Sequence, residues 1–350
     1  MKTSFVSSLA IQTAMRLTIQ RSQSEVQELQ KEVVTGRHAD IGISLGASSG
    51  RSVSLNRDVA RLESIIDNNA LVTQRLSASQ AAMDLMAESA QSLLQAFISV
   101  NGADDALRIG TAKNEVRASL DAFTAAVNTS SNGEYLFAGV NTDVKPVSNY
   151  LAAGSPPKLA FDALYLGHFG FSQTNPAASG ITSAQMEDFL DNTLEPAFLG
   201  ANWTTDWSSA SDTNIMGRIN SNTLVETSTN ANAAGMRKLA LAAVVGLELL
   251  GSPVTSEVRA LINARAIQYS GEAVTGIDNE RSKLGVSEDR VRKADVALAA
   301  QIKIVKLYVG DLEGVDAYEA STRMNSLLAQ VETSYTLTAR IQQLSLINYL

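Results

Sequence analysis

Residues 55–97 read LNRDVARLESIIDNNALVTQRLSASQAAMDLMAESAQSLLQAF, and their spacing decides the fold. Leu55, Val59, Leu62, Ile66, Asn69, Thr73, Leu76, Gln80, Met83, Ala87, Ala90, Leu94 and Phe97 recur at alternating steps of four and three. A repeat held this long, with no Gly or Pro inside it, predicts one long helix paired through a coiled-coil seam. Asn69 and Gln80 stand on that seam, where a polar side chain costs stability and fixes register.

The pattern continues on both sides. Phe5, Ser8, Gln12, Met15, Ile19, Ser22, Val26, Leu29 and Val33 predict an amphipathic helix over 5–34, ended by Gly36 and followed by a Gly- and Ser-rich connection to residue 50. After the turn at 101–105, Ile109, Ala112, Val116, Leu120, Phe123 and Val127 predict a third helix ending near Asn132-Gly133. Tyr135, Leu136, Phe137 and Val140 read as a short strand or hairpin.

Residues 151–229 differ in kind. They hold Trp203, Trp207 and the alternating run Leu159, Phe161, Ala163, Tyr165, and predict an inserted, β-rich outer domain with one short helix after Ser183. Helical spacing returns with Asn232 as the expected N-cap of a helix over Met236–Leu250. A further helix follows Thr255-Ser256, and beyond Leu284-Gly285 its stripe runs through Val291, Leu298, Ile302, Val305 and Val309. Gly310 to Gly314 read as a turn, and Asp316 with Glu319 as a capping box launching the last helix. On that helix Met324, Leu327, Leu328, Val331, Tyr335, Ile341 and Leu344 form one stripe, and the sequence carries apolar residues to Leu350.

The resulting plan is mainly α: an elongated helical bundle or coiled coil built from both chain ends. Residues 1–35 and 315–350 are the expected terminal coiled-coil helices. Residues 36–150 and 230–314 form the expected helical bundle domain with its short β-hairpin, and 151–229 the insert. One partner helix hides only one side of each terminal stripe, so neighbouring subunits are expected to hide the rest. The candidate assembly residues are Phe5, Met15, Ile19, Val26 and Leu29 at one end, with Met324, Leu328, Val331, Tyr335, Ile341, Leu344 and Leu350 at the other.

Composition narrows the function. A hydrophobic fraction of 45% is ordinary for a folded protein, while a net charge of −8 argues against nucleic-acid or anionic-membrane partners. With no cysteine there are neither disulfides nor thiolate metal sites. No apolar run reaches the ~18 residues of a membrane span. The opening MKTSFVSSLAIQTAMRLTIQRSQ lacks the continuous apolar core and small-residue cleavage site of a secretory signal, so a chain that leaves the cytoplasm does so by another route. His38 and His168 lie far apart in Gly-containing stretches. GASSGRS (46–52) departs from a phosphate-binding loop in spacing and in having Arg51 in place of lysine. These features predict no cofactor and no enzyme. Trp203 and Trp207 could supply stacking faces for a glycan, or serve as core aromatics of the insert.

Paired terminal helices, helical flanks and a variable centre resemble the plan of bacterial flagellin-type axial proteins. GEYLFAG (133–139) and the ending TSYTLTARIQQLSLINYL resemble the hook-associated branch of that family found at the hook–filament junction. GDLEGVDAYEAS (310–321) is similar to the corresponding turn-and-cap element of the wider family, and Asn69 falls where the family tends to carry asparagine. Two features depart from the family pattern. The 36–50 connection lacks a DDP-like motif, and the ending lacks the segment that usually precedes the last leucines of filament flagellins.

The resemblance implies a non-enzymatic extracellular flagellar component that assembles with itself into a ring. Its neighbours would be a second hook-associated protein on the hook side and flagellin on the filament side. It also implies type III export with a cytosolic chaperone bound near the C-terminus, and terminal helices that order on assembly. A filament subunit is the runner-up, followed by a secreted coiled-coil scaffold or adhesin.

Overall fold

A computed structural model describes residues 8–347 apart from Ala103, and the side chains of residues 10–340 apart from Gln12 and Ala103. Ten helices and two small hairpins appear among the described residues. The long helices are α1 (Ser8–Thr35), α3 (Ser49–Ser99), α4 (Ala106–Val127), α8 (Ala234–Leu249), α9 (Ser256–Glu313) and α10 (Ala317–Ile347). Short helices α2 (Ile41–Leu45), α5 (Pro156–Phe169), α6 (Ser183–Asp188) and α7 (Glu195–Leu199) fill the connections. The chain divides into two compact units, residues 1–64 with 297–350, and residues 65–296. Both divisions fall inside the long helices α3 and α9.

None of the thirteen seam residues of α3 is exposed. Over 55–73 the buried stripe is narrow, as helix pairing demands. From Leu76 it widens to take in Ser79, Ala82, Met86, Ser89, Leu93 and Ala96, as a multi-helix core demands. Asn69 is fully buried, and its amide donates to Ile219 O (3.0 Å) and Asp295 Oδ1 (2.6 Å). Gln80 donates to Arg281 O (2.8 Å). Both polar seam residues therefore bond across, fixing register. α9 passes Gly285 and Gly310 without a break and ends at Glu313.

Unit 65–296 is built around α8, buried on nearly all sides. Gly235 makes its close crossing with α9 possible: a Cβ there would lie 2.6 Å from the backbone of Gly276. Gly235→Ala should therefore lower the melting temperature even though alanine favours helix, whereas Gly271→Ala, with open space at the Cβ position, should raise stability by up to about 1 kcal/mol. Thermal denaturation of the two variants tests the contrast.

After α4 the chain forms β1 (Ser130–Ser131) and β2 (Glu134–Tyr135), antiparallel with Ser130 opposite Tyr135. Asn132 and Gly133 make the turn at φ 54° and 84°, so this pair belongs to a hairpin rather than a helix end.

Residues 151–229 correct the β-rich expectation. They hold α5, α6, α7 and two π-helical turns (Phe189–Leu194, Trp203–Trp207), with one hairpin of β3 (Met216–Arg218) and β4 (Leu224–Glu226). The error lies in the period. Phe161 and Tyr165 are four apart and buried on one helical face, while Leu159 is exposed, and Pro156-Pro157 opens the helix.

This segment also shares its core with the rest of the unit. Phe161, Tyr165, Phe189, Trp203 and Trp207 join one hydrophobic cluster with α8. Trp203 and Trp207 stack on each other at 5.3 Å, and both are buried, which removes them as exposed glycan-stacking faces. Asn232 does not cap α8, whose N-cap is Ala233; its side chain instead accepts from Trp203 Nε1 (2.8 Å) and Ser208 Oγ (2.6 Å) and donates to Ala210 O (3.0 Å).

Polar links tie the same segment to the helices. Lys238 bridges Glu195 and Glu272, both at 2.6 Å. Burial alone would lower its pKa, but the hydrogen bonds and charges of the two carboxylates outweigh it and hold the ammonium above its usual value. Burial and the neighbouring Glu248, which accepts its hydroxyl at 2.9 Å, push Tyr150 far above the ordinary phenol range. Replacing residues 152–228 by a short linker should accordingly abolish cooperative unfolding of this unit. Retention of a sharp calorimetric transition would show a separable insert.

Candidate functional site

The terminal helices meet in the other unit. Gly36, at φ +66°, ends α1 and accepts Val315 N–H through its carbonyl (3.0 Å), while Arg37 and Gly314 form a backbone bridge. Gly314 N–H donates to Gly310 O at 2.7 Å and closes α9. A Cβ at Gly314 would lie 2.4 Å from that oxygen, so the position needs glycine. Asp316 Oδ1 then accepts Tyr318 N–H (2.8 Å) and Glu319 N–H (3.3 Å), starting α10 as its capping spacing predicts. The elbow returns the chain along α1, so that α1 and α10 pack antiparallel.

Glu313 fastens this elbow. Its carboxylate is 1% exposed and accepts from Arg37 Nη1 (3.1 Å), Asn56 Nδ2 (2.9 Å) and the Ser52 hydroxyl. Its backbone carbonyl accepts His38 N–H at 2.9 Å. Three chain segments thus converge on one buried carboxylate, whose desolvation is offset by three donors. Nothing in the local sequence marks Glu313; only the folded arrangement brings positions 37, 52, 56 and 313 together. Beside it, Glu32 Oε1 accepts Ala39 N–H (3.0 Å) and lies 3.4 Å from His38 Nδ1.

The helix pair divides the candidate assembly residues. On α1, Met15, Ile19, Val26 and Leu29 line the seam with Ser22 and Val33, and Ile19 and Leu29 are buried. On α10 the seam takes Ala320, Met324, Leu327, Val331, Ser334 and Thr338, with Val331 buried. Leu328 and Tyr335 lie off this seam, 41% and 51% exposed, although Gln23 Nε2 reaches the Tyr335 hydroxyl at 2.8 Å. Leu17 and Leu337 are also about half exposed. One apolar stripe in sequence is therefore two surfaces, an internal seam and an outward set. Ile341 and Leu344 belong to the α10 backbone, but their side chains, like Phe5 and Leu350, lie outside the described residues.

The positions weighed for chemistry have structural places. His168 sits against Phe169 and Phe189, and its Nδ1 is 3.2 Å from Thr193 Oγ1. Residues 46–52 form a 3₁₀ turn and the first turn of α3. Among the described residues, no three His, Asp or Glu side chains form a metal-sized cluster, and no helix is long and apolar enough to cross a membrane.

An antiparallel pair of terminal helices joined to long internal helices defines a class of chain whose two ends fold together. The bacterial flagellin N-terminal helical region matches residues 6–142, and the bacterial flagellin C-terminal helical region matches 267–350, together nearly two thirds of the chain. The chain belongs to the flagellin family and is a structural component of the bacterial flagellum.

A solved Vibrio parahaemolyticus structure assigned as a flagellar hook-associated protein shares the fold. It has a TM-score of 0.52 and 12% identity, over 76% of this chain and 97% of that one. The Bacillus cereus FlgL crystal structure aligns over 84% of this chain and 99% of its own, at 11% identity and a TM-score of 0.36, too low to carry an argument. Comparison with curated protein sequences gives no match.

Proposed function

We propose that this chain is a hook–filament junction protein, which assembles with itself through α1 and α10 into a ring between hook and filament. The observation that carries the assembly part is the outward set on the terminal pair: Leu17, Leu328, Tyr335 and Leu337 stay about half exposed after α1 and α10 have covered each other. Apolar side chains on a helix pair this narrow gain from cover by a neighbouring subunit. The ending LSLINYL supports the junction over the filament subunit. In this reading the hook side meets a second hook-associated protein and the filament side meets flagellin. A cytosolic chaperone guards the C-terminal helix before type III export to the cell exterior. Nucleic acid and membrane insertion have no part in it.

Electron microscopy of a deletion strain, with the culture medium assayed for flagellin, tests this. Hooks without filaments and flagellin shed into the medium are expected, and the intact gene should restore filaments. Normal filaments on hooks would end the proposal. Absent filaments with no shed flagellin would identify a filament subunit instead.

A further inference from the structure

We infer that the groove between α3 and α4 docks a basic amphipathic helix of another protein, a contact separate from the junction contacts proposed above. About 490 Å³ of open space lies between the two helices. Leu85, Glu88 and Ser92 of α3 form one wall, and Glu115, Ala118 and Ala122 of α4 the other. Leu85 is more than half exposed, and Ala118 and Ala122 are exposed too. Positions 115, 118, 122 and 125 recur at helical steps, so α4 offers one ridge of mostly short side chains facing α3. Two such ridges with a gap between them accept the ridge of a third helix.

Ser119 marks the groove as more than a stretch of small residues. It lines the space and is 4% exposed, yet its hydroxyl has no hydrogen-bond partner among the described residues. Its neighbours behave otherwise. Ser89 donates to Leu85 O (2.8 Å), Thr111 to Leu107 O (3.0 Å) and Thr124 to Leu120 O (2.8 Å), each back to its own helix. A buried hydroxyl left without a partner is rare, and here it faces the space that an occupant would fill.

Charge selects the occupant. Glu88 and Glu115 are exposed at the rim, and neither has an ion-pair partner among the described residues. No lysine, arginine or histidine among the described residues lines the groove. Short apolar walls between two open carboxylates are matched by a helix with an apolar ridge flanked by Lys or Arg. The same carboxylates repel an anionic lipid surface. A second copy of this chain, at net charge −8, brings more carboxylates than cations to the rim.

A pair of synthetic helical peptides tests the groove on the full chain. One carries Leu and Ala on one face and Lys on the other; its twin carries Glu in place of Lys. Fluorescence anisotropy should show the Lys peptide binding at least about tenfold tighter than the twin, and weakening as salt is raised. Hydrogen exchange should slow at 85–92 and 115–125 when the Lys peptide is bound. Equal binding of the twins, or no binding of either, overturns the inference.

Variants place the contact. Ala122→Trp fills the groove from an exposed position, so circular dichroism and melting should match wild type while the Lys peptide weakens at least about tenfold. Leu107→Trp, exposed on the first turn of α4 and outside the groove, should bind as wild type does. Ser119→Ala should weaken binding about two- to tenfold, and Glu88→Lys with Glu115→Lys should turn the preference toward the Glu twin. Unchanged binding by the Ala122→Trp variant overturns the inference. So does a loss of the chain's own self-association in that variant, which would make a second copy the occupant.

Discussion

Glu313→Ala is expected to loosen the terminal helix pair while leaving unit 65–296 intact. The substitution strands the buried Ser52 hydroxyl, at about 1–3 kcal/mol for the unsatisfied group, whereas the exposed Asn56 keeps its bond to Ser52 O (3.1 Å). Arg37 is half exposed and can turn to water, so its lost ion pair adds little. A total loss of about 1–3 kcal/mol follows, confined to the elbow that joins α1, α9 and α10. Hydrogen exchange read by mass spectrometry should show faster exchange at 36–40 and 313–320 and along α1 and α10, with α8 unchanged. Glu313→Gln keeps the volume but sets its amide group against existing donors, and should fall between alanine and wild type. Pairing Glu313→Leu with Ser52→Ala, which removes both sides of the contact, should recover part of the loss. Unaltered exchange at the elbow in the alanine variant would show that Glu313 does not fasten it.

Much of the helical frame is legible in the sequence because a coiled-coil seam is a local code. Every step from Leu55 to Phe97 is visible within a few residues, and the structure buries or half-buries each one. Asn69 and Gln80 were recognisable because a polar residue on such a seam has few physical uses. The 151–229 segment is ambiguous in sequence because Leu159, Phe161, Ala163 and Tyr165 satisfy a period of two as well as a helical one over so short a run. What arbitrates is Pro156-Pro157 at the helix start and Phe169 one turn beyond Tyr165, signals weaker than the alternation.

Glu313 was invisible for a different reason. A carboxylate at the end of a helix is ordinary on a surface, and its burial depends on residues more than 250 positions away. The stripe on α10 was seen, but sequence spacing did not separate the side that α1 covers from the side left open, since Leu327 and Leu328, or Val331 and Tyr335, belong to adjoining ridges of the same helix.

That separation makes the terminal helix testable on both surfaces. Val331→Asp places a carboxylate in the α1–α10 seam, where the position is 9% exposed. The expected cost is several kcal/mol, felt in the isolated chain as opening of the helix pair and early proteolysis of both ends. Tyr335→Asp acts on the open surface. It forfeits one exposed hydrogen bond with Gln23, worth about 1 kcal/mol or less, so the monomer should melt almost as wild type does. If a neighbouring copy covers Tyr335 and Leu328, the same change puts an unpaired charge into a dry contact, and self-association and filament attachment should fail. Leu328→Asp should behave alike, and Thr336→Asp, exposed and off the apolar set, should be milder. The decisive comparison is between the two helix faces in one pair of measurements, monomer melting and assembly. Tyr335→Asp with normal motility would mean that the open side of α10 meets solvent in the flagellum, and that the seam with α1 is the whole purpose of the apolar stripe.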